Sequence, residues 1–334
     1  MEEINVPKTL SLIDKLIKSN FIYVICGLII CLLITAIFYC AFLRPTSNFP
    51  VGVFYTVDKG VTLSDLATKL ESESIIRSAF WFKVYFNLVH NEQEIKIGDY
   101  SLENKENSWI LANRFSKGDY KIVIRKTTIP EGYSTKQIGK LLEQKYFKVS
   151  FDEFVQWSKR YEGYLFPDTY FWPMNISASE SVTAMKLNFD KVTRDLKLRA
   201  DSLKKNWSDI VKMASVIELE ANTDIDRHII SGIFWRRLLI GMPLQSNATL
   251  KYIGVNDTFV LSNDDKIIES PYNSYLNKGL PPTPICNPGY EALDASLNPT
   301  KTSYLYFLTG RDGKMYYAKT YDEHLKNKAS YLDR

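Results

Sequence analysis

Glu218 and Glu220 stand two residues apart in the run Val211–Asp226 (VKMASVIELEANTDID), which is otherwise largely apolar up to that point. Burying either one charged and unpaired would cost roughly several kcal/mol, so each needs a reason to be there. General acid–base chemistry is one such reason, because a carboxyl can donate a proton and take it back. On a helix turning about 100° per residue, Ile210, Ala214, Ile217 and Ala221 form one apolar stripe. Glu218 falls on one border of it, beside Val211 and Ala214, and Glu220 on the other, about 160° away around the axis. Two carboxylates so placed do not flank one bond as the pair in an ordinary retaining glycosidase does. At most one of them faces a given cleft.

Other chemistries find little support. The chain has no Walker A loop, no G-x-G-x-x-G and no H-E-x-x-H. Ser202-Leu203-Lys204-Lys205 matches S-x-x-K and Lys301-Thr302-Ser303 distantly resembles K-T-G. The only nearby S-x-N, Ser296-Leu297-Asn298, lies too close to that lysine to be a separate element of such a site. His90, His228 and His324 are scattered and no Cys/His cluster has metal spacing, so neither a metal nor another cofactor is expected. A net charge of +4 over 334 residues, without clustering, argues against nucleic acid as the main partner.

The elements that must position a reactive glutamate follow from patterning. Phe21–Leu43 is an uncharged apolar stretch long enough to cross the ~30 Å hydrocarbon core of a bilayer. It is longer than a signal-peptide core and lacks a small-residue cleavage site before Arg44-Pro45. Lys8, Lys15 and Lys18 precede it, against Arg44 and Lys59 after it, which predicts a cytoplasmic N-terminus and an extracytoplasmic body in a single-pass protein of the cytoplasmic membrane. Cys26, Cys31 and Cys40 fall within the span, leaving Cys286 alone outside it, without a partner for an intrachain disulfide.

Beyond the polar linker Arg44–Pro50, the stretch starting at Tyr55 reads as strand, glycine turn and amphipathic helix, with Thr62 or Ser64 as cap. IKIGDYSL and YKIVIRKTTI alternate like strands, with SWILANRF a short helix between them. Lys59–Leu70 (KGVTLSDLATKL) aligns without gaps on Glu131–Leu142 (EGYSTKQIGKLL), pairing Gly60 with Gly132 and Thr62 with Ser134. That phrase is either a common turn-to-helix entry or a duplicated small module similar to the glycan-binding LysM unit. From Phe151 the pattern becomes more helical, with FDEFVQW, SVTAMKLNFDKVTRDLKLRADSL and IDRHIISGIFWRRLLIG as helices, the last ending at Gly241. The last third is turn-rich, with short strands at YLYFLTG and KMYYAKT. Helices and strands mix without βαβ regularity, so the fold class expected is α+β. The expected organisation is a tail over 1–20, a transmembrane helix over 21–43, a LysM-like lobe over 44–126 and a larger mixed domain over 127–334.

ASVIELE (Ala214–Glu220), followed by DRHIISGIFWRRLLIGMPLQSNATLKYIG, closely resembles the endolytic murein transglycosylase family (YceG-like, MltG). Its members carry A-S-I-I-E-K-E, an E-R stretch, V-F-x-N-R-L and G-M-x-L-Q-S-D-P-T. EGYLFPDTY (Glu162–Tyr170), SPYNSYLNKGLPPTPICNPG (Ser270–Gly289) and NPTKTSYLYFLTGRDGKMYYAKTYDEH (Asn298–His324) follow the same family in the same order. With the anchor and the LysM-like lobe, the resemblance spans nearly the whole chain. Departures are Asn247-Ala248 for the usual Asp-Pro, Arg236 for Asn, and Lys314-Met315 where a Gly/His pair is common. They bear on fine specificity and rate more than on reaction type.

The resemblance implies a lytic transglycosylase acting on peptidoglycan, with Glu218 as its catalytic glutamate. Protonated, Glu218 would donate to the glycosidic oxygen between N-acetylmuramic acid and N-acetylglucosamine. As a carboxylate it would then take the proton of the muramic C6 hydroxyl as that oxygen attacks C1, giving a 1,6-anhydro end with no water consumed. Val211, Ala214 and Ile217 would favour its neutral form by desolvation. Glu220 is expected to be structural, pairing with Arg227 or capping a turn. Gln245, Ser246, Asn247 and Thr249 offer amides and hydroxyls suited to a sugar groove. Glu162, Tyr164 and Asp168 could orient substrate or Glu218, or form an ordinary turn. Tyr272, Asn273 and Tyr275 could meet sugar rings or pack a loop. The family implies nascent glycan strands as substrate and penicillin-binding proteins or other wall-synthesis machinery as partners. A non-catalytic peptidoglycan-binding scaffold and a hydrolytic muramidase are the alternatives, the latter needing a water-activating base that the sequence does not identify.

Overall fold

The computed structural model describes residues 8–90, 95–255 and 263–332. It is a mixed α+β structure whose chain divides into two compact units, one ending at Val123 and one beginning at Ile124. The expected N-terminal tail lies partly outside the described residues, since helix α1 runs Lys8–Phe38 and continues as a π-turn through Tyr39–Leu43. Tyr23–Leu43 is long and apolar enough to cross a membrane, and its side chains are largely exposed. At its far end Phe38 and Phe42 lie against Trp81, with ring centres 4.8 and 5.7 Å apart.

In the first unit β1 (Val53–Val57) leads through a turn into α2 (Leu63–Ser72), then α3 (Ala79–His90) and β2 (Gly98–Leu102). β1 and β2 pair antiparallel from Val53 opposite Leu102 to Val57 opposite Gly98. The Thr62 side chain caps α2 by accepting the Asp65 N–H, a bond that removes one of the orphan donors of a helix start. Leu66 and Leu70 of α2, Phe82 and Phe86 of α3, and Tyr100 and Leu102 of β2 fill the core. α4 (Ser108–Lys117) closes it with Leu111 and Phe115, and ends on Gly118 in the left-handed conformation. α4 also carries Arg114, buried and paired with Glu106 at 2.5 Å.

The second unit opens with the same order. β3 (Ile124–Thr128) is followed by α5 (Thr135–Glu143), α6 (Phe151–Ser158) and β4 (Thr169–Pro173), and the two strands again pair antiparallel over five residues. The turn glycines correspond, Gly60 at φ +87° and Gly132 at φ +77°, both in the region that glycine enters without steric cost. Ser134 caps α5 with a full capping box to Gln137. The aligned phrases therefore open two β-α-α-β units of one topology, and YKIVIRKTTI is a strand only from Ile124 onward.

A helical body follows. The long helix expected from SVTAM breaks at Thr193 into α7 (Ala178–Val192) and α8 (Arg194–Ser202). Next come α9 (Trp207–Ile217), α10 (Asp224–Leu239), α11 (Asn247–Tyr252), α12 (Asn263–Lys266) and α13 (Tyr290–Leu297). A final hairpin, β5 (Tyr306–Thr309) with β6 (Met315–Ala318), packs with α14 (Tyr321–Tyr331). α9 is at the centre, packed against α8, α10 and α13. α10 runs close to the 300s loop because Gly232 has no side chain; a Cβ there would come within 2.0 Å of the Thr300 carbonyl oxygen.

Candidate functional site

α9 is buried around most of its circumference, beyond the single stripe expected. Ile210, Val211, Met213, Ala214, Ser215, Val216 and Ile217 are all inaccessible. The helix ends at Ile217, with the Glu218 N–H still bonded to the Ala214 carbonyl, and the chain turns through Leu219 and Glu220. A helix terminus, in place of opposite helix faces, thus separates the two glutamates. Glu218 remains on the buried side, with a side chain only 6 % exposed.

Both carboxylate oxygens of Glu218 have partners. Arg227 Nη2 lies 3.3 Å from Oε1, and the Gly289 N–H donates to Oε2 at 2.8 Å. Arg227 is therefore the counter-ion of Glu218 and not of Glu220, and it also holds Asp224 at 2.8 Å. α10 supplies both groups within one turn of its start, where the Thr223 side chain caps it by accepting the Asp226 N–H. The surroundings of Glu218 include apolar α9, as expected, and its two oxygens also meet a cation and a backbone amide.

The β3–α5 turn lies against this site. A Cβ on Gly132 would come 3.7 Å from Glu218 Cγ and 3.0 Å from Leu219 Cδ2. A Cβ on Gly289 would come 2.0 Å from Oε1 of Glu131, so the Glu131 carboxyl rests on the glycine that binds Glu218. Glu131 has its proton affinity raised by partial burial and then by the charge of Glu218, with Arg227 acting in the opposite direction. Sequence reasoning did not single out Glu131 as functional. The available signal was its place in the aligned phrase, where Lys59 is its counterpart.

Asn287 ties the loops around the site together. Its backbone carbonyl accepts the Gly132 N–H, its N–H and Nδ2 donate to the Tyr133 carbonyl, and its Oδ1 accepts the Leu165 N–H. Glu162 is buried in the same knot. It accepts the Thr135 N–H at 3.0 Å and the Thr135 hydroxyl at 2.8 Å, at the first turn of α5, and it lies 3.5 Å from the Tyr252 hydroxyl. Burial pushes its carboxyl above the usual glutamate range, and the Thr135 bonds pull it partly back. Cys286, in the loop leading to Gly289, is buried; its thiol donates to the Ser215 carbonyl and burial pushes its pKa well up.

The remaining expected residues divide by exposure. Glu220 accepts the Ser246 hydroxyl and the Ala248 N–H, and burial raises its proton affinity, so it braces the start of α11. Thr249 is fully buried and bonded to Ser246 and Ser274, while Asn273 is fully buried and holds the Lys266 and Ile268 carbonyls. Gln245 is exposed with a left-handed φ of +52°, uncommon for a residue with a side chain. Asn247 is exposed and accepts the Tyr275 hydroxyl at 2.6 Å. Tyr272 donates or accepts at the Thr283 hydroxyl, 2.8 Å away, and its ring leans on Tyr252. Tyr164 packs edge-on against Phe189 in the α7–α9 core, and Asp168 binds Thr169 and Asn188 just before β4; neither is hydrogen-bonded to Glu218 among the described residues.

Residues 55–330 match the sequence model of the YceG-like family, and that span includes every residue of the site. The chain belongs to the YceG-like family. Its relatives include an endolytic murein transglycosylase of Streptococcus pneumoniae serotype 2 strain D39, 28 % identical over 83 % of this chain and 58 % of the relative. Another endolytic murein transglycosylase, from Bacillus subtilis strain 168, is 39 % identical over 51 % of this chain and 48 % of its own length. The chain thus spans about half to three-fifths of the length of these curated relatives. The crystal structure of a yceG-like protein from Listeria monocytogenes superposes with a TM-score of 0.56 at 29 % identity, covering 82 % of this chain and 98 % of that one.

Proposed function

We propose that this protein is a membrane-anchored endolytic peptidoglycan lytic transglycosylase. The carrying observation is Glu218 itself, a single carboxyl fixed at the end of a buried helix in a YceG-like chain, with Arg227 and the Gly289 N–H on its two oxygens. The relatives named endolytic murein transglycosylases supply the substrate class.

Protonated Glu218 gives its proton to the glycosidic oxygen, the C1–O bond breaks, and positive charge develops at C1. The resulting carboxylate accepts the proton of the muramic C6 hydroxyl as that oxygen closes on C1. One bond to C1 is lost and one gained, the proton returns to Glu218, and no water is consumed. Arg227 and Gly289 suit the moment when Glu218 is charged, since their bonds are strongest to the carboxylate. Gln245, Asn247, Tyr272 and Tyr275 carry the polar and aromatic groups we assign to glycan contact. Ser246, Thr249, Asn273 and Glu162 support those loops from within.

α1 is the single-pass anchor of the cytoplasmic membrane, with its N-terminus inside and both units outside, where nascent strands and the penicillin-binding synthases would be its neighbours. The first β-α-α-β unit is LysM-like and a candidate glycan holder. Digestion of purified peptidoglycan by the full-length protein should release muropeptides with 1,6-anhydro ends, each lighter by one water than the hydrolysed species. Reducing ends would identify a muramidase instead, and binding without cleavage a scaffold.

A further inference from the structure

Resting on the reading of α1 as the membrane anchor, we propose that α3 of the first unit is an interfacial helix. It docks on the bilayer that α1 crosses, with Trp81 seated at the outer edge of the lipid acyl chains. What carries this is the depth at which α3 meets the span. Tyr23–Leu43 has 21 residues, about 30 Å of helix, the thickness of the hydrocarbon core, so the span has no slack to rise out of it. Phe38 lies five residues before Leu43, roughly 6–7 Å inside the outer end. The Trp81 ring centre is 4.8 Å from that of Phe38 and 5.7 Å from that of Phe42, and the Phe80 ring is 5.1 Å from Trp81. A ring in contact with Phe38 is at or below the hydrocarbon boundary, within the ~5–10 Å that interfacial helices reach.

The chain between α1 and α3 holds this contact instead of leaving the unit on a tether. Arg77 donates from Nε to the Arg44 carbonyl at 3.2 Å and from Nη2 to the Pro45 carbonyl at 3.4 Å. The Thr46 hydroxyl donates to the Ser74 carbonyl, Lys105 reaches the Ser47 carbonyl at 2.8 Å, and Phe49 is buried in the core of the unit. Arg44 and Arg77 thus stand together at headgroup level, where cations meet anionic lipid. α3 itself is apolar on two faces. Phe82, Tyr85 and Phe86 fill the core. Phe80, Val84 and Leu88, at i, i+4 and i+8, form a second stripe, in which Phe80 is 61 % and Leu88 77 % exposed. Trp81 borders that stripe and joins it to the apolar surface of the span, which makes lipid the occupant that fits. Tryptophan is also the side chain enriched at this depth.

Tryptophan fluorescence of the full-length protein in phosphatidylglycerol-containing vesicles tests the docking. Trp81 is the first tryptophan of the chain, so none lies in α1 and any quenching by lipid arises in the body. Lipids brominated near the headgroup end of the acyl chain should quench the wild type by a share comparable to one tryptophan in six, and Trp81→Phe by far less. Phe80→Ser/Leu88→Ser, which changes only exposed side chains, should weaken the quenching with the melting temperature unchanged. No quenching of the wild type, or quenching that either variant leaves unaltered, overturns the proposal. So does crosslinking between copies through Leu88→Cys, above the wild-type background and in place of quenching, which would assign the stripe to a second copy. Retention on the vesicles in alkaline carbonate reads the anchor separately. Retained but unquenched protein keeps α1 in the membrane and loses the docking, whereas protein that washes off loses both. A wild type that is quenched but releases no anhydro ends loses the proposed reaction and keeps the docking.

Discussion

The two β-α-α-β units share a topology and differ in what their first turn faces. In the first, Lys59-Gly60 is exposed and a Cβ on Gly60 would meet nothing within 4 Å. In the second, Glu131-Gly132 lies against Glu218, Leu219 and Gly289. Each unit also buries a glutamate, and treats it differently. Glu106 sits between Arg114 at 2.5 Å and Lys121 at 2.9 Å, whereas Glu162 accepts hydrogen bonds from Thr135 and has no cation within ion-pair distance among the described residues. Strand, glycine turn and capped helix are thus requirements of the fold, satisfied twice. The second turn differs in what it lies against, the end of α9 at Glu218 and the Gly289 loop.

That contrast can be broken by substitution. Glu218→Gln should lower the cleavage rate by about a thousandfold, the scale of a lost general acid and base, while Lys59→Gln leaves it unchanged; steady-state turnover of peptidoglycan reads both. Glu106→Ala leaves Arg114 buried without its counter-ion and should destabilise the first unit by about 3–5 kcal/mol, seen as an early unfolding transition in calorimetry.

Glu162 sharpens the comparison through pH. Its folded-state proton affinity is raised, so the native second unit binds more protons than the unfolded chain over the window just above the ordinary glutamate range. Stability from Glu162 is therefore present at low pH and lost as pH rises through the folded pKa. The melting-temperature difference between Glu162→Gln and wild type should become more favourable to the variant across that window, and a flat difference would show that Glu162 is not the titrating group. The smallest effect concerns the turns themselves. Gly60→Ala and Gly132→Ala should each cost about 1–2 kcal/mol of left-handed strain, but only Gly132→Ala should also slow cleavage, because its methyl presses on Leu219 and approaches Glu218.

Much of this was legible in the sequence. The aligned glycine-turn phrases gave both helix entries with their caps, and the phrases around Glu218 carried the family. What was not legible depends on contacts between distant parts of the chain. The Gly289 amide reaches Glu218 from 71 residues away, and Arg227 of α10 pairs with Glu218, just past the end of α9 at Ile217. Serine, threonine and asparagine have the same hydrogen-bonding groups whether they meet a sugar or brace a loop. Thr249 and Asn273 are separated from exposed Asn247 by burial, which composition does not encode. β4 was hidden in EGYLFPDTYFWP because its pairing partner β3 lies some 40 residues earlier, across two helices.

In the proposed reaction the C6 hydroxyl of the substrate, activated by Glu218, takes the place of water. Digestion in water enriched in heavy oxygen tests it directly, by mass analysis of the released strand ends. The wild type should give unlabelled 1,6-anhydro ends, and Glu218→Gln should give essentially none on the same timescale. A heavy oxygen at C1 of the muramic end would contradict it.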